Sequence, residues 1–156
     1  MRRLAGVLCL ALLCLSACTA TFETNAPMSG FSFSHSGMHT GLMYTLSAAN
    51  TDAGWQAQIS LLGGEREHVL EMMEADVERL AAIAVEHHLQ AWSGFDKSDP
   101  RCLDGTGFRL RIDYADGKHM YAEGSNAFPK GYAAAKDDIL DYFAELMEKN
   151  GIENPF

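Results

Sequence analysis

The chain has 156 residues, with 12 Lys and Arg against 21 Asp and Glu, for a net charge of −9. That balance argues against nucleic-acid binding, which needs clustered cations to displace phosphate counterions, and against a surface drawn to anionic lipid. Four cysteines and no internal repeat complete a composition that excludes a disulfide-dense scaffold and a solenoid.

In chain order, Arg2 and Arg3 form a positive region ahead of an apolar run from Leu4 to Leu15, the layout of an export signal. The run is too short for an uncleaved anchor, since a spanning helix needs about 20 apolar residues. A plain secretory signal prefers small residues at both the first and third positions before the cut. Here Leu15 stands at the third, followed by Ser16, Ala17 and Cys18. Leu15-Ser16-Ala17-Cys18 resembles the lipobox of bacterial lipoproteins. The resemblance implies that the Cys18 thiol takes a diacylglycerol, that the chain is cut just before it, and that the new amino terminus is acylated. Thr19 stands where an Asp favours inner-membrane retention, so the resemblance implies an outer-membrane address if the host is Gram-negative. Removal of residues 1–17 takes Arg2 and Arg3 with it and leaves 139 residues of net charge −11. Cys9 and Cys14 leave as well and Cys18 is consumed by lipid. Cys102 is then unpaired: a buried small hydrophobe, an intermolecular partner or a nucleophile.

Residues 18–30 read as the lipidated cysteine and a flexible tether, small and polar with Pro27. A single domain is expected over 31–151, with a tail at 152–156, because a body of about 120 residues supports one core and not two. Phe31 and Phe33 alternate with serines and predict a first strand. Leu42, Tyr44, Leu46 and Ala48, then Trp55, Ala57, Ile59 and Leu61, predict a hairpin across an Asn50–Gly54 turn. After Gly63-Gly64 a strand is expected around His68–Met73, where a helical reading competes. Asp76 as N-cap, with Val77, Leu80, Ile83, Ala84 and His87 at helical spacing, predicts a helix ending near Leu89.

The best-defined hairpin follows, with Phe108, Leu110, Ile112 and Tyr114 alternating with Arg109, Arg111 and Asp113. A two-residue loop would set Leu110 opposite Glu123. A three-residue loop over Ala115–Gly117 instead sets Ile112 opposite Met120, Leu110 opposite Ala122 and Phe108 opposite Gly124, keeping one face apolar and placing Gly117 at a bulge of positive φ. On the other face it pairs Arg109 with Glu123 and Asp113 with His119. A second helix is expected with Pro129 near its first turn, Ala135, Ile139, Tyr142, Phe143 and Leu146 on one face, and Asn150-Gly151 as its stop. The fold class is therefore α+β: an antiparallel sheet of five to six strands with two helices packed on one face.

From Trp92 to Tyr132 the pattern W-x-G-F-D, D-G-x-x-F-x-L-x-I-x-Y-x-D-G and A-x-G-S-N-A-F-P-x-x-Y resembles a recurrent segment of bacterial proteins of unknown function. No activity comes with it. Its residues read as structural: Trp92 and Phe95 as core plugs, Gly124 for close backbone approach, and Asn126 satisfying the backbone at the corner into the second helix.

Several chemistries can be weighed. His35, Met38, His39 and Met43 offer the thioether and imidazole donors that suit copper, at loose spacing. His87 and His88 are adjacent on a helix and point about 100° apart, which is poor for one zinc ion. Asp96, Asp99 and Asp104 invite calcium, but Pro100 and Arg101 break the EF-hand pattern. No nucleophile elbow, zinc-protease, phosphate-loop or dinucleotide motif is present. The sequence points to a non-catalytic, lipid-anchored envelope domain, held to the membrane through Cys18, with no cofactor and an envelope protein or peptide as partner. It would bind through its sheet face or a strand edge, with Arg109, Arg111, Tyr121, Glu123 and Asn126 as candidate binding residues. The alternatives are a thiol-dependent or hydrolytic enzyme using Cys102, and a periplasmic copper-binding protein.

Overall fold

A computed structural model describes residues 22–37, 43–101 and 105–156. Cys18, Met38, His39, Cys102 and Asp104 lie outside them. The elements run β1 (Met28–Gly37), β2 (Met43–Thr51), β3 (Gly54–Leu61), β4 (Arg66–Glu71), α1 (Glu74–Glu86), β5 (Asp96–Ser98), β6 (Thr106–Tyr114), β7 (His119–Ser125) and α2 (Tyr132–Lys149). The fold is α+β. Among the described residues the sheet has seven strands in the order β4-β3-β2-β1-β6-β7-β5, and it is mixed, because β5 pairs with β7 in parallel.

Two-residue periodicity built the sheet. In register, Phe33 lies beside Leu46 and Leu110, Leu46 beside Ile59, and Leu110 beside Ala122. These five side chains are fully buried and run as one band across five strands. The β6–β7 register is the expected one, with Ile112 opposite Met120, Arg109 opposite Glu123 and Asp113 opposite His119. Gly117 has φ +81° in the three-residue loop, and its N–H bonds to the Tyr114 carbonyl at 2.9 Å. The stretch after Gly64 resolves as strand β4.

Both helices cover the apolar face. α1 contributes Val77, Leu80 and Ile83, and α2 contributes Ala135, Ile139, Tyr142, Phe143, Leu146 and Met147. Phe143 stacks on Phe31, ring centres 6.3 Å apart. The helices are tied to each other by the Tyr142 hydroxyl donating to the Asp76 carbonyl at 2.9 Å and by Lys149 against the Asp76 carboxylate at 3.0 Å. α2 stops where expected: Gly151 takes φ +74°, its N–H bonds Glu148, and the Ile152 N–H bonds Met147, the paired bonds of a Schellman motif.

Several expectations are corrected. Asp76 is not the N-cap of α1. Met73 holds that position, and Asp76, three residues on, accepts the Met73 N–H at 2.8 Å, a carboxylate reaching back to an orphan donor. α1 ends at Glu86, and His88 in the left-handed region (φ +51°) turns the chain so that Leu89 and Trp92 enter the core from a short 3-10 turn. Pro129 lies just ahead of α2, near its first turn as expected, and Gly131, at φ +83°, is the N-cap. The sheet exceeds five or six strands because Asp96–Ser98, not foreseen as a strand, pairs with β7. Residues 22–30 are not free tether. Phe22 packs on Tyr114 with ring centres 5.6 Å apart, Thr24 donates to Asp116 at 2.9 Å, Lys118 donates to the Glu23 carbonyl at 3.0 Å, and β1 begins at Met28. The tail also folds back, with Ile152 and Phe156 packed against the core.

Candidate functional site: the open face of the sheet

With both helices on one side, no element among the described residues packs on the other face of the sheet. Its middle is made of small hydroxyls. β1, at the centre of the strand order, presents Ser32, Ser34 and Ser36. Ser34 lies between Thr45 of β2 and Arg109 of β6, and Thr45 lies beside Ser60 of β3. With these small side chains in the middle and longer ones such as Arg109 and Glu123 on the β6–β7 flank, the face is hollowed into a trough of about 710 Å³ that reaches Ser98 and Ser125 at one end. Three exposed apolar side chains, Met43, Val69 and Tyr121, belong to the same face, in register with Ser36, Gln58 and Arg111 respectively.

The flank is a network of paired charges. The Glu123 carboxylate accepts from Arg109 Nε at 3.3 Å and from the Tyr121 hydroxyl at 2.8 Å. Partial burial, then the neighbouring Glu123, push the Tyr121 hydroxyl pKa up. Arg111 binds the Asp113 carboxylate through Nε at 3.0 Å and Nη2 at 2.7 Å, which raises the guanidinium pKa. Four of the five candidate binding residues therefore sit together on one surface. Asn126 does not. In the left-handed region (φ +53°), it accepts the Thr106 N–H on its Oδ1 at 2.8 Å and donates its own N–H to the Thr106 carbonyl at 2.8 Å, closing the corner after β7.

The metal candidates separate. Tyr44, next after Met43, is the register partner of His35, and Met43 that of Ser36, so His35 and Met43 point to opposite faces. His35 faces the helices, its Nδ1 2.9 Å from the Tyr132 hydroxyl and its ring stacked on Tyr44 at 5.3 Å. Burial and then Lys136 lower its pKa, which favours the neutral imidazole. His87 Nε2 is 2.6 Å from Asp138 Oδ2 between the helices. Asp99 takes the Arg101 guanidinium, with Nη2 at 2.7 Å, where a calcium ion would need it free. Among the described residues no group of three His, Cys, Asp or Glu side chains gathers to hold a metal.

The trough was hard to find from sequence because it depends on strand order. The alternating serines at 32, 34 and 36 were visible, but nothing local says that β1 is central and that small neighbours flank it. Comparison of the chain with family models, with curated proteins and with solved structures found no match.

Proposed function

We propose that the protein is a lipid-anchored module of the bacterial cell envelope that binds an envelope protein or peptide on the open face of its sheet. The anchor is the lipid on Cys18, placed in the outer membrane where the host is Gram-negative. The observation that carries the binding half is the uncovered trough itself: hydroxyls of Ser34, Thr45 and Ser60 in a hollow bordered by the Arg109, Tyr121 and Glu123 network. Such a surface offers both donors and acceptors to a polypeptide, and its half-exposed tyrosine and arginines are the residue types enriched where proteins meet.

Photo-crosslinking in cells tests this reading. A benzophenone side chain at Thr45 or Gln58, on the open face, is expected to trap one and the same protein, and Ser34→Arg, which fills the trough, is expected to remove the adduct. The same probe at Glu78 or Asp141, on the helical surface, is expected to give none. Equal trapping from both surfaces, or none from the sheet, contradicts the reading.

A further inference from the structure

A second hollow lies on the other side of the molecule, where the chain leaves the described residues. It measures about 580 Å³ and runs between Ala26, Pro27 and Met28 on one side and Ala84 and Val85 of α1 on the other, with Ile112 and Tyr114 reaching its lining. That volume falls in the range, roughly 300–1,000 Å³, of cavities that hold small ligands. Val85 is 72 % exposed at its rim.

Chain geometry bears on what fills it. Phe22 is pinned on Tyr114, one of the lining residues, and residues 24–28 form one wall. Cys18 stands four residues before Phe22, a span of at most about 14 Å when extended. A hydrocarbon on Cys18 would therefore start within reach of an apolar groove. A docked bilayer surface suits the groove less well, because anionic headgroups call for basic residues and the chain is acidic, with Glu23 and Glu86 exposed close by in sequence.

We infer that this groove holds one of the acyl chains attached to Cys18 whenever the domain is off the bilayer. The inference rests on the lipid-anchor reading above. It gives the pinned segment 22–27 a role: the segment forms a wall of the groove and limits how far Cys18 can lie from it. In a bilayer the acyl chain leaves the groove for the hydrocarbon core, where its burial is complete.

The test uses the full chain made in bacteria fed a palmitate analogue with a mid-chain diazirine. The purified lipidated protein is irradiated in two states, after detergent removal and after reconstitution into phosphatidylcholine vesicles, and its peptides are mapped by mass spectrometry. In the water-borne state acyl adducts are expected within residues 24–28 or 81–91, falling at least tenfold in vesicles. Ala84→Phe, which fills the groove, is expected to abolish them. Val85→Glu, at an exposed position that does not threaten the fold, is expected to reduce them severalfold. Absence of the analogue from Cys18 overturns both this inference and the anchor reading. An acylated Cys18 whose adducts avoid the groove in both states overturns the groove alone.

Discussion

Replacing Gly124 by alanine puts a methyl group where two immobile neighbours already stand. A Cβ built on Gly124 lies 2.1 Å from the Ala127 carbonyl oxygen and 2.7 Å from Phe108 Cε1. The first is backbone and the second belongs to a ring that is 3 % exposed and packed against Trp92, Phe95 and Tyr132. Relief to ordinary contact needs a displacement of over an ångström in the turn after β7. Overpacking of a tight site costs about 1–3 kcal/mol, and with backbone as the obstacle we expect the upper end, about 3 kcal/mol. For a domain of this size each kcal/mol lowers the melting temperature by about 4 °C, so a fall of about 12 °C is expected by calorimetry or circular dichroism. Gly107→Ala is the control. Its Cβ meets the rotatable Ser36 Oγ at 3.1 Å and the Gly124 carbonyl at 3.5 Å, and a change within about 1 kcal/mol is expected. A Gly124→Ala protein as stable as the wild type would refute the reasoning.

Other substitutions probe separate links. Asn126→Ala removes the acceptor for the Thr106 N–H and leaves alanine at φ +53°, for an expected loss of about 2–3 kcal/mol in urea titration; Asn126→Gly, which tolerates the backbone angle, is expected to lose about 1 kcal/mol less. Arg109→Ala and Glu123→Ala should couple by less than about 1 kcal/mol in a double-mutant cycle, since the pair is long at 3.3 Å and the arginine side chain is 72 % exposed; a larger coupling would mean the flank is more rigid than its exposure implies. His35 gives a pH dependence. Its folded pKa lies below the ordinary 6.5 because burial, Lys136 and the packed Tyr44 and Tyr132 rings surround it. The unfolded chain therefore binds the proton first as pH falls, and stability held above pH 6.5 is lost progressively below it until the folded histidine also protonates. Urea midpoints measured from pH 7.5 to 5 should fall more steeply for wild type than for His35→Gln, and equal slopes would rule this out.

Local chemistry was legible in the sequence. The β6–β7 hairpin could be set in register from the alternation of Phe108, Leu110 and Ile112 and from a glycine placed for positive φ, because a short loop leaves few alternatives. The end of α2 was legible for the same reason. What stayed hidden is non-local. β5 is three exposed polar residues held by backbone bonds to β7, so no side-chain pattern announces it. The pinning of Phe22 and Thr24 depends on Tyr114 and Asp116, some ninety residues away. His35 is the sharpest case. With Met38, His39 and Met43 it read as a copper donor, yet its parity in β1 is that of Phe31 and Phe33, which turns it into the helix layer. For the open face, Arg109, Arg111, Tyr121 and Glu123 followed from hairpin register, whereas the serine trough beside them required the strand order.

Cys18 carries the anchor on which the proposed function depends. Intact mass spectrometry of the full-length gene product, recovered from the membrane fraction of a bacterial host, tests it most directly. The expected result is a chain that begins at Cys18 and carries the added mass of a diacylglycerol, with Cys18→Ser lacking that mass and leaving the membrane fraction. A membrane-bound chain that keeps residues 1–17, or one that begins at Cys18 without added lipid, would contradict it.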